Sequence, residues 1–242
     1  MSKKKKVIII LIILPVIVGA VVFINISPML SMSPIESGEI PGSGIYAVKS
    51  GVNSVFFIES GSQYIAVDAG TDASKLKDAM DKADISPLDV SHLLLTHSDY
   101  DHLGGLTLFK NADIYMSEDE LQLINGTTKR NLFGRNALPE GILAEDLILL
   151  TEGQKLVLNG LEIECVKTPG HTTGSMSYIV NGEYIFTGDA FMVEGNSMKP
   201  HPFTMDGAAA KNSIKKLAEI KGGCSLVITA HYGVFNAEKL QG

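Results

Sequence analysis

Between Leu93 and Gly105 the chain reads LLLTHSDYDHLGG. An aliphatic run stops at Thr96, and His97, Asp99, Asp101 and His102 follow at once. Imidazole nitrogens suit zinc, iron and other transition ions, while carboxylate oxygens suit harder ions such as manganese. Three more apolar runs stop on residues of the same kind: VKTPGH at His171, YIFTGD at Asp189 and VITAH at His231. Side chains delivered from strand ends collect along one rim, where distant parts of a chain can close on an ion. A metal with one coordination position left for water lowers the pKa of that water toward neutrality, and two ions about 3.5–4 Å apart can share a carboxylate and a hydroxide. The chemistry expected is attack by metal-activated water. His92, inside DVSHLLL, is expected to be a hydrogen-bonded strand residue, and His201, in KPHPF, to be loop surface or pocket rim.

The elements that must position these residues follow from periodicity. GIYAVKS, NSVFFIES and SQYIAVDAG are strand-like runs broken at Gly or Asn, as in an antiparallel meander. TDASKLKDAMDKADI has helical spacing, with Leu76, Ala79, Met80 and Ala83 on one face. DVSHLLLT is a buried strand, and Ser117 with Glu120 has the spacing of a capping box for the helix EDELQLIN. Residues 126–146 are long and irregular, as loops that serve a site often are. Strands resume at LILL, QKLVL, LEIECVKT, MSYIV and EYIFTGD; a helix with Asp206 as its N-cap follows, and SLVITA is the last strand. Two halves of similar make-up predict a layered α/β sandwich with a helix layer outside each sheet.

The N-terminus is set aside from this fold. Lys3–Lys6 precede VIIILIILPVIVGAVVFINI, residues 7–26, which carries no charge. Twenty such residues span about 30 Å, the thickness of a bilayer core. Residues 1–27 are therefore expected to be a membrane anchor, with a cleaved signal as the alternative, residues 28–43 a Pro/Ser/Gly linker, and residues 44–242 one domain. The lysines predict a cytoplasmic N-terminus and a single-pass cell-membrane protein whose domain lies on the extracytoplasmic side. Setting those four lysines apart from the 20 basic residues leaves 16 against 27 acidic ones. That balance argues against wrapping nucleic acid. Cys165 and Cys224 could pair outside the cytoplasm, although Cys165 in LEIECV reads as a small buried hydrophobe.

The pattern HSDYDH, with TPGHTTGS, FTGD and AHYG downstream and AVDAG upstream, resembles the metallo-β-lactamase superfamily from about Gly44 to Gly233. The resemblance implies a four-layer αββα sandwich with metals at one edge. It places His97, Asp99 and His171 on a first metal and Asp101, His102 and His231 on a second, with Asp189 between them. It also implies that Asp68 braces the metal loop from behind, and that Asp101 orients the attacking hydroxide or carries its proton. The family pattern H-x-H-x-D-H has histidine where this chain has Asp99. A carboxylate there lowers the positive charge of the first site, so two divalent ions are expected, zinc first, with iron or manganese admitted by Asp99. The implied function is hydrolysis by metal-bound hydroxide of a small-molecule ester, thioester, lactone or phosphoester. The alternatives are an iron-dependent redox enzyme of the same fold and a membrane-tethered, non-catalytic metal-binding module. The motifs are most similar to the glyoxalase II-like and lactonase-like branch. The chain ends soon after His231, so the helical domain that binds glutathione is not expected. Lys129, Arg130 and Arg135 are candidates to grip an anionic substrate, or else form a solvated basic loop.

Overall fold

The computed structural model describes Leu30, residues 32–130 and residues 136–242. The apolar run 7–26 and Arg135 lie outside the described residues. Among those described, no helix is long and apolar enough to cross a membrane. Ser33–Gly242 forms one unit.

Its first sheet has seven strands in chain order: β1 (Gly38–Ile40), β2 (Ile45–Ser50), β3 (Asn53–Ser60), β4 (Gln63–Val67), β5 (Val90–Leu94), β6 (Asp113–Ser117) and β7 (Leu147–Leu150). The expected meander covers β1 to β4, which pair antiparallel. From β4 to β7 the pairing is parallel, because a helix or helical turns intervene between strands. β1 lies inside the stretch read as a linker. Ile35 packs on the core and Ser33 N donates to His231 O at 2.7 Å, so the domain begins earlier than composition suggests.

The second sheet has the order β15-β14-β11-β10-β9-β8. These strands are β8 (Lys155–Leu158), β9 (Leu161–Lys167), β10 (Met176–Val180), β11 (Tyr184–Phe186), β14 (Leu226–Thr229) and β15 (Gly233–Asn236). A small hairpin, β12 (Met192–Glu194) and β13 (Ser197–Lys199), precedes the long helix. Neither that hairpin nor β15 was expected from the sequence, because each strand is only three or four residues long and carries little pattern.

Three apolar layers hold the sandwich together. Successive residues of a strand point to opposite faces, so one strand feeds two layers. Phe56, Val67 and Leu94 face inward against Ile163, Tyr178, Phe186 and Ile228 of the second sheet. Their neighbours Phe57, Ala66 and Leu93 face outward onto Leu76 and Met80 of α1 (Ala73–Lys82). In the second sheet Tyr178 faces inward while Ile179 faces out, toward the layer formed with Ile214 and Leu217 of α4 (Gly207–Ile220). Each such side chain is worth roughly 1.5–3 kcal/mol on burial. This is the αββα sandwich the sequence predicts. Asp72 caps α1 through Lys75 N at 2.9 Å, and Asp206 caps α4 through Ala208 N and Ala209 N. The other α-helical segments described within Ser33–Gly242 are single turns, α2 (Tyr100–Leu103) and α3 (Leu121–Ile124). Cys165 and Cys224 are both free thiols, and burial pushes Cys165 up to about 12.

Candidate metal centre

The centre stands on four strand ends along one edge. β5 releases His97 and Asp99, and α2 turns Asp101 and His102 back toward them. β9 leads to His171, β11 to Asp189 and β14 to His231. The tight turn behind α2 needs glycine for space rather than for a special dihedral. A Cβ at Gly104 would sit 2.1 Å from Thr71 O, and one at Gly105 would sit 2.4 Å from Ala69 O. At Gly188 both reasons apply: φ is +51°, and a Cβ would lie 2.4 Å from Thr96 Oγ1.

The structure brings all seven expected residues together. His97, Asp99 and His171 form one potential ligand group, and Asp101, His102 and His231 form another. Asp189 lies between them. Its Oδ2 is 3.3 Å from His171 Nε2 and 3.2 Å from His231 Nε2, and its Oδ1 is 3.7 Å from His102 Nε2. Asp101 Oδ2 is 3.4 Å from His231 Nε2, and Asn53 Nδ2 donates to the Asp101 carbonyl.

The nitrogen of each histidine that faces the centre is set by what the other nitrogen does. His102 Nδ1 donates to Asp68 Oδ2 at 2.8 Å, and His231 Nδ1 donates to Val52 O at 2.7 Å. Thr96 Oγ1 gives its single proton to Asp68, at 3.0 and 2.9 Å from the two oxygens, so it accepts from His97 Nδ1 at 3.0 Å. In all three Nε2 is therefore the nitrogen that can present a lone pair to the centre. His97 Nε2, His102 Nε2 and Asp189 Oδ1 are buried with no hydrogen-bond partner among the described residues. Leaving such polar atoms unpaired is costly. Bare imidazole lone pairs and carboxylate oxygens converging from two sides fit divalent metal ions.

Asp68 braces this set, as the resemblance implies. It holds a left-handed backbone at φ 62°, accepts from Thr96 N at 2.8 Å and orients His102. Glu120 does not cap a helix: Ser117 makes no side-chain cap bond. Its buried carboxylate instead takes Ser98 N and Ser98 Oγ on Oε1, at 2.8 and 2.7 Å, and Thr172 Oγ1 and Gly174 N on Oε2, both at 2.9 Å. One side chain thus pins the loop carrying His97 and Asp99 to the loop carrying His171. The capping-box spacing is real, but a burial requirement elsewhere wins the carboxylate.

Two further residues enter the centre. Arg130 is not a solvated loop residue. It is 8% exposed, and its Nη2 lies 3.0 Å from Asp99 Oδ2, 3.2 Å from His171 Nε2 and 2.7 Å from Phe203 O. Asn136 Nδ2 donates to Asp99 Oδ1 at 2.8 Å. Lys129, its neighbour, is exposed. His201 is not loop surface but 2% exposed, with its ring 4.6 Å from that of His171 and 5.8 Å from that of His231. The flanking prolines in KPHPF were the available signal for a fixed side chain. His92 lies away from the centre, near Asn159 Oδ1 and Tyr115 OH, each at 3.3 Å.

Electrostatics separate the two groups. Burial works against charge on His102, but Asp68, Asp101 and Asp189 outweigh it and raise its pKa to about 10. Burial dominates at His171 and lowers it to about 4. Burial alone would raise Asp99, yet the His171 contact and the neighbouring His97 ring hold its carboxyl far below the usual range. Burial also keeps His201 neutral, well below the ordinary histidine value.

Fold and site together define a metallohydrolase-type sandwich with His and Asp ligand groups collected at one edge. The profile of the metallo-beta-lactamase superfamily matches residues 49–231, and the chain belongs to that superfamily. It is similar to a probable polyketide biosynthesis zinc-dependent hydrolase, BaeB, of Bacillus velezensis, with 34% identity over 134 residues. That match covers 54% of this chain and 51% of the Bacillus protein, so the chain spans about half the length of that relative. It is 30% identical over 212 residues to metallo-beta-lactamase domain-containing protein 1 of Xenopus laevis, covering 78% of this chain and 82% of the other. The fold is shared with a solved B3 metallo-beta-lactamase described as the first with an active-site glutamic acid. That likeness has a TM-score of 0.63 at 21% identity and covers 86% of this chain and 88% of the other.

Proposed function

We propose that this chain is a divalent-metal-dependent hydrolase of a small molecule bearing an ester, thioester, lactone or phosphoester bond. One observation carries the reading: imidazole nitrogens and carboxylate oxygens from four strand ends converge around Asp189, and His97 Nε2, His102 Nε2 and Asp189 Oδ1 among them are buried with no hydrogen-bond partner among the described residues. The naming of the Bacillus relative as a zinc-dependent hydrolase supports it. Asp101, His102 and His231 would hold one ion, His97, Asp99 and His171 the other, and Asp189 would contact both. Each subsite offers two histidines and one aspartate, a set that zinc accepts, but Asp99 in place of a histidine moves its subsite toward iron or manganese.

When bound there, the ions supply an acidified water and polarise the oxygen that gains charge. The chain's residues supply the rest. The Asp101 carboxylate lies beside His231 and His102 and would accept the water's proton or orient it. The Asp189 carboxylate sets the spacing of the two groups. Asp68 keeps a His102 proton on Nδ1, so that Nε2 is the nitrogen offered to an ion once its own proton is displaced. The test is metal analysis of the full-length protein followed by a panel of thioesters, lactones, carboxylic esters and phosphodiesters. Zinc, alone or with manganese or iron, together with turnover of one bond class, is expected. Iron with oxygen consumption and no hydrolysis would move the reading to redox chemistry, and neither metal nor turnover would leave a non-catalytic module.

A further inference from the structure

His201 is the one site histidine whose hydrogen bonding runs the other way. In His97, His102 and His231, Nδ1 meets a group that accepts a proton, which makes Nε2 the nitrogen that can offer a lone pair. In His201, Nδ1 meets a donor, the backbone N–H of Phe203 at 3.4 Å. A neutral imidazole that accepts on Nδ1 carries its proton on Nε2. The pairing partner is fixed in place. Thr204 N donates to the His201 carbonyl at 3.1 Å, and Arg130 Nη2 donates to the Phe203 carbonyl at 2.7 Å. Pro200 and Pro202 on either side restrict the backbone further.

The Nε2 of His201 points into the centre. It is buried and has no hydrogen-bond partner among the described residues. Asp189 Oδ2, at 3.7 Å, is too far to take its proton. His171, Asp189 and His201 also lie close enough to hold an ion between them, but a ligand nitrogen must offer a lone pair, and this tautomer offers a hydrogen.

We propose that His201 is a substrate-contacting hydrogen-bond donor of the centre and not a further metal ligand. The proposal rests on the hydrolase reading above. As the water oxygen bonds to the substrate's carbonyl carbon or phosphorus, the electron pair of the C=O or P=O bond moves onto its oxygen. The Nε2–H of His201 donates a hydrogen bond to that oxygen or to the leaving atom beside it. His201 itself transfers no proton: the water's proton goes to the Asp101 carboxylate and on to the leaving atom as its bond to carbon or phosphorus breaks, and the His201 imidazole stays neutral throughout. A fixed donor aimed at developing charge in a site shielded from water contributes most in the transition state.

Two measurements on the full-length, metal-loaded protein test this. Long-range proton–nitrogen NMR reads the histidine tautomers without any substrate. His201 is expected to be protonated on Nε2, and His102 and His231 on Nδ1. A proton on Nδ1 of His201, or a metal-shifted Nε2, would overturn the proposal even if the protein hydrolysed nothing. The second measurement compares His201→Phe with His201→Gln. The phenylalanine variant keeps the ring and removes the donor; the glutamine variant keeps an N–H at similar reach. His201→Phe should retain the wild-type metal content and lose about 10²–10³-fold in kcat, with KM changed far less. His201→Gln should recover at least tenfold of that loss. Loss of one metal equivalent in both variants would make His201 a ligand, and unchanged kcat in His201→Phe would make it a bystander. A wild-type protein that turns over no substrate refutes the hydrolase reading and leaves the NMR result to decide the tautomer.

Discussion

The two halves of the centre are made from the same residue types and held in different ways. Around Asp101, His102 and His231, both imidazoles donate from Nδ1 to oxygens of the fold, Asp68 Oδ2 and Val52 O. Around His97, Asp99 and His171 the support is weaker and shared. His97 leans on the Thr96 hydroxyl, His171 Nδ1 has no hydrogen-bond partner among the described residues, and Asp99 divides its oxygens between Arg130 and Asn136. The Asp101 half is thus pre-organised by backbone and a buried carboxylate. The Asp99 half already contains a fixed positive charge and must share it with any ion that enters. The difference teaches that one aspartate in the place of a histidine is not an isolated change: Asp99 comes with Arg130, and the pair sets how strongly the first subsite attracts a cation.

The largest break in this comparison is His102→Ala. It should remove the ion of the Asp101 half and abolish turnover while the domain stays folded, as read by metal content, activity and circular dichroism. Asp68→Asn strikes the same half one step back. It should cost roughly 10–100-fold in metal affinity there and leave the Asp99 half less affected, because Asp68 reaches His97 only through Thr96. Arg130→Met acts in the opposite direction on the other half. Without the guanidinium, Asp99 and His171 are free to serve a cation, and affinity at that subsite should rise on the order of tenfold. A fall would show that Arg130 builds the subsite and does not compete with its ion.

The smallest effect is one of pH, and it too differs between the halves. In metal-free protein the raised pKa of His102, about 10, gives stability that is fully present below the ordinary value near 6.5 and is lost as pH rises through 10. The lowered pKa of His171, about 4, gives stability that is present above 6.5 and is lost as pH falls through 4. Binding at the Asp101 half must therefore displace a proton at neutral pH and strengthen by up to tenfold per pH unit, while binding at His171 stays flat above about pH 5. Calorimetry of metal binding in buffers of different ionisation enthalpy reads the proton released.

Much of this was legible in the chain because the expected ligands lie shortly beyond the ends of apolar strands. Strand and ligand are neighbours in sequence, so the pattern is local. The meander, both capped helices and the αββα layering were legible for the same reason. What lay hidden depends on partners far apart in the chain. Glu120 has the spacing of a helix cap, yet its carboxylate bridges Ser98 and Thr172. Arg130 and Asn136 sit in a segment with no periodicity, and only the fold brings them to Asp99. His201 follows a hairpin whose strands are three residues long, and only its flanking prolines set it apart from a surface histidine.

The central claim is that two subsites share Asp189 and that the Asp101 half is the tighter. Stepwise titration of metal-free, full-length protein with zinc, repeated on His231→Ala and Asp99→Ala, tests it most directly. The account predicts two steps in the wild type, loss of the tight step in His231→Ala and loss of only the weak step in Asp99→Ala. A tight step that survives His231→Ala, or that disappears in Asp99→Ala, would contradict it.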